Sequence, residues 1–222
     1  MSLRWPSMHR FAPIGARQAF AIAFVGIALA AFVAPVAHAA AGEAPDALVK
    51  RVTEEVLGLI KSDPKIQAGD QARIREVIET RLTPYFDFER MTALAAGRGW
   101  RLATPEQQKT LAGQFKTLLV RTYSGALNQY RDQKIAYLPL RADAGATDVT
   151  VRTQVQRPGQ APVQIDYSME KTSDGWKAYD VVVGGVSLVT NYRDEFTAEI
   201  QRGGIDGLIK ALEAKNSGAP AK

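Results

Sequence analysis

An α+β fold is predicted by a change of period along the chain. Up to Gln133 apolar residues recur at three- and four-residue steps, between residues 134 and 183 they alternate, and beyond Ser187 the helical step returns. The alternating stretches are separated by short turns, which suits an antiparallel meander and not a parallel sheet with crossovers. The expected architecture is a helical amino-terminal half packed on a four-stranded antiparallel meander, followed by two carboxy-terminal helices.

The first 39 residues read as a secretory signal peptide. Arg4, Arg10 and Arg17 precede an unbroken apolar run over residues 19–34, and Ala37-His38-Ala39 supplies a small-x-small cleavage site. The run is shorter than the roughly 20 residues of a spanning helix. No Arg-Arg pair and no Cys accompanies it, so neither twin-arginine export nor a lipid anchor is expected. Cleavage near Ala39 leaves one domain over 40–215, a disordered tail over 216–222, and a periplasmic product in a Gram-negative cell.

Within the domain, Asp46 is expected to cap a helix carrying Leu48, Val49, Val52, Val56, Leu59 and Ile60, which stops near Asp63-Pro64. A second helix starts near Asp70, shows Ile74, Val77, Ile78 and Leu82 on one face, and ends before Pro84. A short helix follows Asp87 and closes at Gly97 and Gly99. Thr104, Pro105 and Gln107 form a capping box with proline at the first helical position. The stripe Leu111, Phe115, Leu118, Leu119, Tyr123, Ala126, Leu127 and Tyr130 makes this the longest helix, about 26 residues or roughly 39 Å. Strands are expected over 134–140, 148–156, 162–171 and 176–183, with turns at Pro158-Gly159 and Ser173-Asp174-Gly175. Gly184-Gly185 ends the last strand, Ser187 caps a helix bearing Leu188, Tyr192, Phe196 and Ile200, and Gly203-Gly204 separates it from a short final helix.

Composition removes several chemistries. Losing the three leader arginines takes Lys+Arg from 28 to 25 against 23 acids, so the mature chain is near neutral and lacks the basic surface of a nucleic-acid binder. The only histidines, His9 and His38, lie in the leader, and the chain has no Cys. The mature protein therefore has no His-based triad, Cys nucleophile, Cys/His zinc site or disulfide. Asp180 beside Tyr179 is the one candidate for carboxylate catalysis, of the kind small α+β isomerases use; the competing reading pairs Asp180 with Arg193 to pin helix to sheet. Asp87 and Glu89 fall on different helix faces, Ser187 lacks a partner base, and Gly184-Gly185 lacks the lysine of a phosphate loop. On the binding side, the inward face of the third strand is Val163, Ile165, Tyr167 and Met169. Such a wall suits hydrocarbon, but periodicity alone leaves a filled core and a lined cavity equally open.

The segment WKAYDVVVGGVSLVTNYRDEF, continued by I-x-x-G-G-x-D-G-L-I-x-x-L, resembles the signature of the MlaC family, periplasmic phospholipid carriers of the maintenance-of-lipid-asymmetry pathway also called toluene-tolerance auxiliary proteins. Residues 86–108 and 115–127 resemble it too, so the likeness covers nearly all of the mature chain. It implies a non-enzymatic carrier, without cofactor, whose apolar pocket encloses acyl chains while the head group stays outside. It also implies shuttling, as a monomer, between an outer-membrane lipoprotein–porin complex and an inner-membrane ABC transporter with a mammalian-cell-entry-type ring. The matching motif positions are Trp176, Tyr179, Asp180, Gly185, Val186, Ser187, Leu188, Tyr192, Arg193 and Phe196, whose role is expected to be mainly architectural; Gly184 replaces an acidic residue often found there. Lipid would then meet the inward-facing Phe115, Leu118, Leu119, Tyr123, Val149, Val151, Val155, Ile165, Tyr167, Met169, Val181 and Val183. Two other readings remain at this point: a hopanoid or other lipid as cargo, and an isomerase or hydrolase centred on Asp180.

Overall fold

The computed structural model describes residues 42–128 and 133–218. The expected signal peptide, Tyr130 and residues 219–222 lie outside the described residues. Helix α1 (Pro45–Ser62) begins with proline at its first position, where the missing N–H costs nothing. It therefore starts two residues earlier than expected: Ala44 occupies the cap position and Asp46 lies in the first turn. Asp63 caps a short helix not foreseen in the sequence, α2 (Pro64–Gln67), through the Lys65 N–H at 2.9 Å. Asp70 caps α3 (Gln71–Val77) by accepting the N–H groups of Ala72 and Arg73 at 2.9 and 3.1 Å.

The expected continuous second helix breaks up after Val77. A π turn over Ile78–Leu82 and a 3₁₀ turn over Thr83–Tyr85 follow. Pro84 has no N–H to continue the ladder, and the hydroxyls of Thr80 and Thr83 each donate to the carbonyl four residues back, at 2.7 and 2.8 Å, a bond that bends helices. Helix α4 (Phe88–Ala96) is capped by Asp87 as expected and ends at Gly97, whose φ of 57° favours glycine. A 3₁₀ segment, Gly97–Leu102, carries the chain to α5 (Pro105–Asn128). At Gly99 a Cβ would lie 2.5 Å from the Ile200 side chain, so glycine lets the two segments touch. The capping box of α5 forms reciprocally, Thr104 N–H to Gln107 at 2.9 Å and Gln107 N–H to the Thr104 hydroxyl at 3.3 Å.

Strands β1 (Lys134–Tyr137), β2 (Asp148–Gln156), β3 (Val163–Thr172), β4 (Gly175–Val183) and β5 (Val186–Ser187) form one antiparallel sheet in sequence order. The meander has five strands, not four. Gly184 and Gly185, at φ 57° and 87°, make a two-residue hairpin turn of the kind that needs positive φ at both positions. The chain thus folds back as a short fifth strand on β4 before entering α6 (Thr190–Ser217). Gly203 and Gly204 leave helical geometry inside α6, so it is two rods meeting at a kink, in agreement with the two helices expected. The helix persists through Ser217, into the segment expected to be a tail, and Asn216 donates to Gln114 of α5.

Three apolar clusters hold the fold. One joins α4, α5 and α6 around Phe115 and Phe196. A second joins the first half of α1 (Leu48, Val49, Val52) to the sheet at Val149, Val151, Met169, Trp176 and Ala178. The third fixes the second half of α1 (Val56, Ile60) to Ile66, Ile74, Val77, Ile78 and Val120. Helix α1 therefore belongs to two cores at once.

Candidate functional site

Strand register defines the apolar wall. Val149, Val151, Thr153 and Val155 face Met169, Tyr167, Ile165 and Val163 across β2 and β3. Tyr167 and Ile165 face Val181 and Val183 across β3 and β4. Alternate residues share a face, so these side chains form one surface, with the first half of α1 lying on it.

Two cavities flank that half of α1. The larger, about 350 Å³, is lined by Asp46, Ala47, Lys50, Tyr137, Leu138, Pro139 and Val151. The smaller, about 70 Å³, is lined by Leu48, Val49, Val52, Thr53, Leu82, Tyr85, Phe86, Tyr167, Met169 and Ala178. At 3.6 residues per turn, positions 46, 47 and 50 share one side of the helix and 48, 49 and 52 another, so α1 divides the two spaces. The turns forced at Thr80, Thr83 and Pro84 deliver Leu82, Tyr85 and Phe86 to the smaller one. Phe86 is held there by a bridge to Ala178, with the Asp87 N–H on the Ala178 carbonyl at 2.9 Å.

The small cavity is walled by hydrocarbon and aromatic rings, whereas the larger one carries charge. The Lys50 ammonium stands 5.9 Å from the centre of the Tyr137 ring and 4.0 Å from Glu54. At the head of α1, Arg51 bonds both oxygens of Glu43, at 2.9 and 2.8 Å, and lies over the Tyr85 ring at 5.5 Å. The Arg51 hydrogen bonds hold the Glu43 carboxyl below its ordinary range. Burial pushes the Tyr167 phenol above its usual value, against a smaller downward pull from its hydrogen bond with Thr153.

Of the side chains expected to meet lipid, Val151, Tyr167 and Met169 line the cavities. Val149 and Val181 are buried, Val155 and Ile165 half-buried, and Val183 is exposed. Phe115, Leu118 and Leu119 lie instead in the helical core, where the Phe115 ring packs edge-on against Tyr192 and Phe196 at 5.2 and 5.0 Å. Tyr123 is partly exposed, and burial together with the Tyr192 hydroxyl raises its phenol pKa. The structure does not bring these four to either cavity. It brings Leu48, Val49, Val52, Tyr85 and Phe86 instead. The stripe Leu48, Val49, Val52 was legible as an apolar helix face; nothing in it said that the face lies over the sheet.

The motif residues build a joint. One oxygen of Asp180 accepts the N–H groups of Val181 and Val189 at 2.8 and 3.2 Å, and the other accepts the Ser187 hydroxyl at 2.6 Å. Ser187 in turn accepts the Thr190 N–H at 3.0 Å, satisfying the start of α6 as expected. Leu188 N–H bonds the Val181 carbonyl, Trp176 is buried against the sheet, and Tyr192 and Phe196 are core. Gly185 makes the hairpin turn and Val186 is exposed on β5. The supposed Asp180–Arg193 pair does not form. Arg193 donates to the Leu94 carbonyl at 3.2 Å, while the β5 hairpin brings Ser187 to Asp180 first. Tyr179 belongs to a separate network. Its hydroxyl donates to Asp148 at 2.8 Å, and Arg90 lies 3.5 Å from its ring centre while pairing with Asp148 and Glu170. With Tyr179 turned elsewhere and the Asp180 oxygens occupied, the acid–base constellation dissolves. Among the described residues no cluster of His, Cys, Asp and Glu fits a metal ion, and no helix is long and apolar enough to cross a membrane.

A family model described as MlaC protein matches residues 50–214. A toluene tolerance protein of Pseudomonas putida is 29% identical over 167 residues, covering 75% of this chain and 77% of its own. The MlaC binding protein of the intermembrane phospholipid transport system of Haemophilus influenzae is 24% identical over 182 residues, covering 81% of this chain and 85% of its own. Among solved structures, the phospholipid-binding protein from Ralstonia solanacearum in complex with a phospholipid superposes with a TM-score of 0.73 at 42% identity, over 78% of this chain and 97% of that one.

Proposed function

Because the chain belongs to the MlaC family, we propose that it is a periplasmic phospholipid carrier, a binding protein and not an enzyme, which holds acyl chains between the first half of α1 and the apolar face of the sheet. The observation that carries this reading is the pair of spaces on the two flanks of α1, set over a wall of Val151, Tyr167, Met169 and Ala178. The likeness to a solved phospholipid complex supports it. Exposing lipid to water costs about 0.8 kcal/mol per CH₂, roughly 10 kcal/mol for a long chain. A carrier must therefore close hydrocarbon around hydrocarbon, and that requires no cofactor.

The smaller cavity, about 70 Å³, is well under the roughly 300 Å³ of ordinary ligand pockets. Loading then needs a wall that moves. The first half of α1 fits that role: Leu48, Val49 and Val52 rest on the sheet by apolar contact, while Val56 and Ile60 stay anchored to α2 and α3. We place the leader over residues 1–39 and delivery, as a monomer, between an outer-membrane lipoprotein–porin complex and an inner-membrane ABC transporter.

Native mass spectrometry of the protein exported to the periplasm and purified without detergent, followed by solvent extraction, tests the reading. Bound phospholipid is the expected result, and a hopanoid in the extract would change the cargo. A ligand-free mass with no uptake from phospholipid vesicles would overturn it.

A further inference from the structure

The two ends of the sheet differ in charge. One end, formed by the start of β2, the end of β3 and the turn into β4, carries Asp148, Glu170 and Asp174. Arg90 pairs with the first two, and Lys177 reaches the third at 3.6 Å. The opposite end gathers the start of β1, the turn from β2 to β3, and the Gly184-Gly185 hairpin between β4 and β5. Residues 156–164 and 183–187 contain no acid and no aromatic ring. Lys134 and Arg157 stand exposed at this end, without an ion pair among the described residues. Asp166 is the nearest acid on β3; strand alternation turns it to the face opposite Val163 and Ile165, where the Gln164 amide holds both its oxygens at 2.9 Å. Three valines crown the same end. Val163, Val183 and Val186 are 37, 38 and 56% exposed. Val183 pairs with Val186 and with Ile165, and Val163 pairs with Val155. All therefore lie on the apolar face that α1 covers further along, at Val149 and Val151.

Exposed apolar groups beside unpaired cations complement a surface that is negative on top and apolar beneath. We propose that this end of the sheet rests on the surface of an anionic phospholipid bilayer. Val163, Val183 and Val186 press towards the glycerol level, while Lys134 and Arg157 lie among the phosphates. A protein partner fits less well. Protein interfaces bury about 800 Å² per side around aromatic anchors, and three valines at strand ends offer neither. Pairing of two copies through the β5 edge fails on length, since that strand has two residues. The contact is shallow and reversible, and it points the uncovered end of the apolar wall at the membrane. It goes beyond the carrier reading and does not depend on what the cavities hold.

Co-sedimentation of the exported protein with vesicles of phosphatidylglycerol and phosphatidylethanolamine tests the docking. The wild type sediments with these vesicles at low salt, more weakly as salt screens the charges, and not with vesicles of phosphatidylcholine. Arg157→Ala and Lys134→Ala each weaken binding by about fivefold, the effect of one cation near an anionic surface. Val186→Asp weakens it further, and thermal melts matching the wild type show that the fold is intact. Lys171→Ala, which removes an exposed lysine from the acidic end of the sheet, leaves binding unchanged. No binding to anionic vesicles at low salt overturns the docking, as does equal binding to phosphatidylcholine or undiminished binding by Val186→Asp. An equal loss in Lys171→Ala also overturns it, because net charge and not this end would then draw the protein down. Lipid in native mass spectra of a protein that ignores vesicles would sink the docking and keep the carrier; vesicle binding by a protein that never loads lipid would do the reverse.

Discussion

At the scale of single residues, the joint between β4 and α6 turns on one carboxylate. Asp180→Ala strips partners from the Val181 and Val189 N–H groups and from the Ser187 hydroxyl. Half-buried donors left unpaired cost about 1–3 kcal/mol in such cases, so denaturant unfolding should show a loss of about 2–3 kcal/mol. Arg193→Ala removes one exposed bond to a carbonyl, about 1 kcal/mol or less, and a double-mutant cycle of the two should give coupling near zero. Strong coupling would restore the pairing that the sequence suggested. Tyr167 makes a different prediction. Its phenol is raised in the fold, so its contribution is whole below the unfolded value of about 10 and is lost as pH climbs from there through the folded value. Tyr167→Phe should be less stable at neutral pH by about 1 kcal/mol yet lose less stability than the wild type between pH 10 and 11. Parallel alkaline profiles would refute this.

At the scale of elements, the sequence announced most starts and few of the internal breaks. Caps at Asp70, Asp87 and Thr104 are local devices, each a side chain within three residues of the N–H it serves, and all three formed as written. The π turn at Ile78–Leu82 escaped because the apolar stripe runs through it undisturbed; its cause lies in two threonines and a proline acting together. The fifth strand escaped because two residues carry no period, although the Gly-Gly turn that makes it was visible. Phe115 and Tyr123, expected to face lipid, line neither cavity, for a broader reason. An apolar face says that a side chain is buried, and only tertiary packing says against what. Helix α1 gives this scale its own test. Gly58 sits exposed in its interior, with nothing within 4 Å of an added Cβ, so Gly58→Ala should stabilise by about 0.5–1 kcal/mol. Amide exchange should show residues 46–53 opening more readily than residues 56–62, since only the latter are locked by the cluster of Ile66, Ile74 and Val77. Uniform protection along α1 would rule out the moving wall.

At the scale of the molecule, the helical half and the sheet have separate cores, and α1 bridges to the second. Val151→Trp, pointing bulk into the larger cavity from the sheet, should lower lipid occupancy in native mass spectra while the α4–α5–α6 core keeps the protein folded; undiminished occupancy would place the chains elsewhere. The double allegiance of α1 has a further consequence for a carrier. The side chains that cover the wall, Leu48, Val49 and Val52, are made of the same stuff as an acyl chain, so loading swaps one hydrocarbon neighbour for another. Such an exchange lies close to thermal balance and runs as readily backwards as forwards. On the carrier reading proposed above, a protein built this way would have no preferred heading of its own: like a ferry, it would go wherever passengers are taken on or set down.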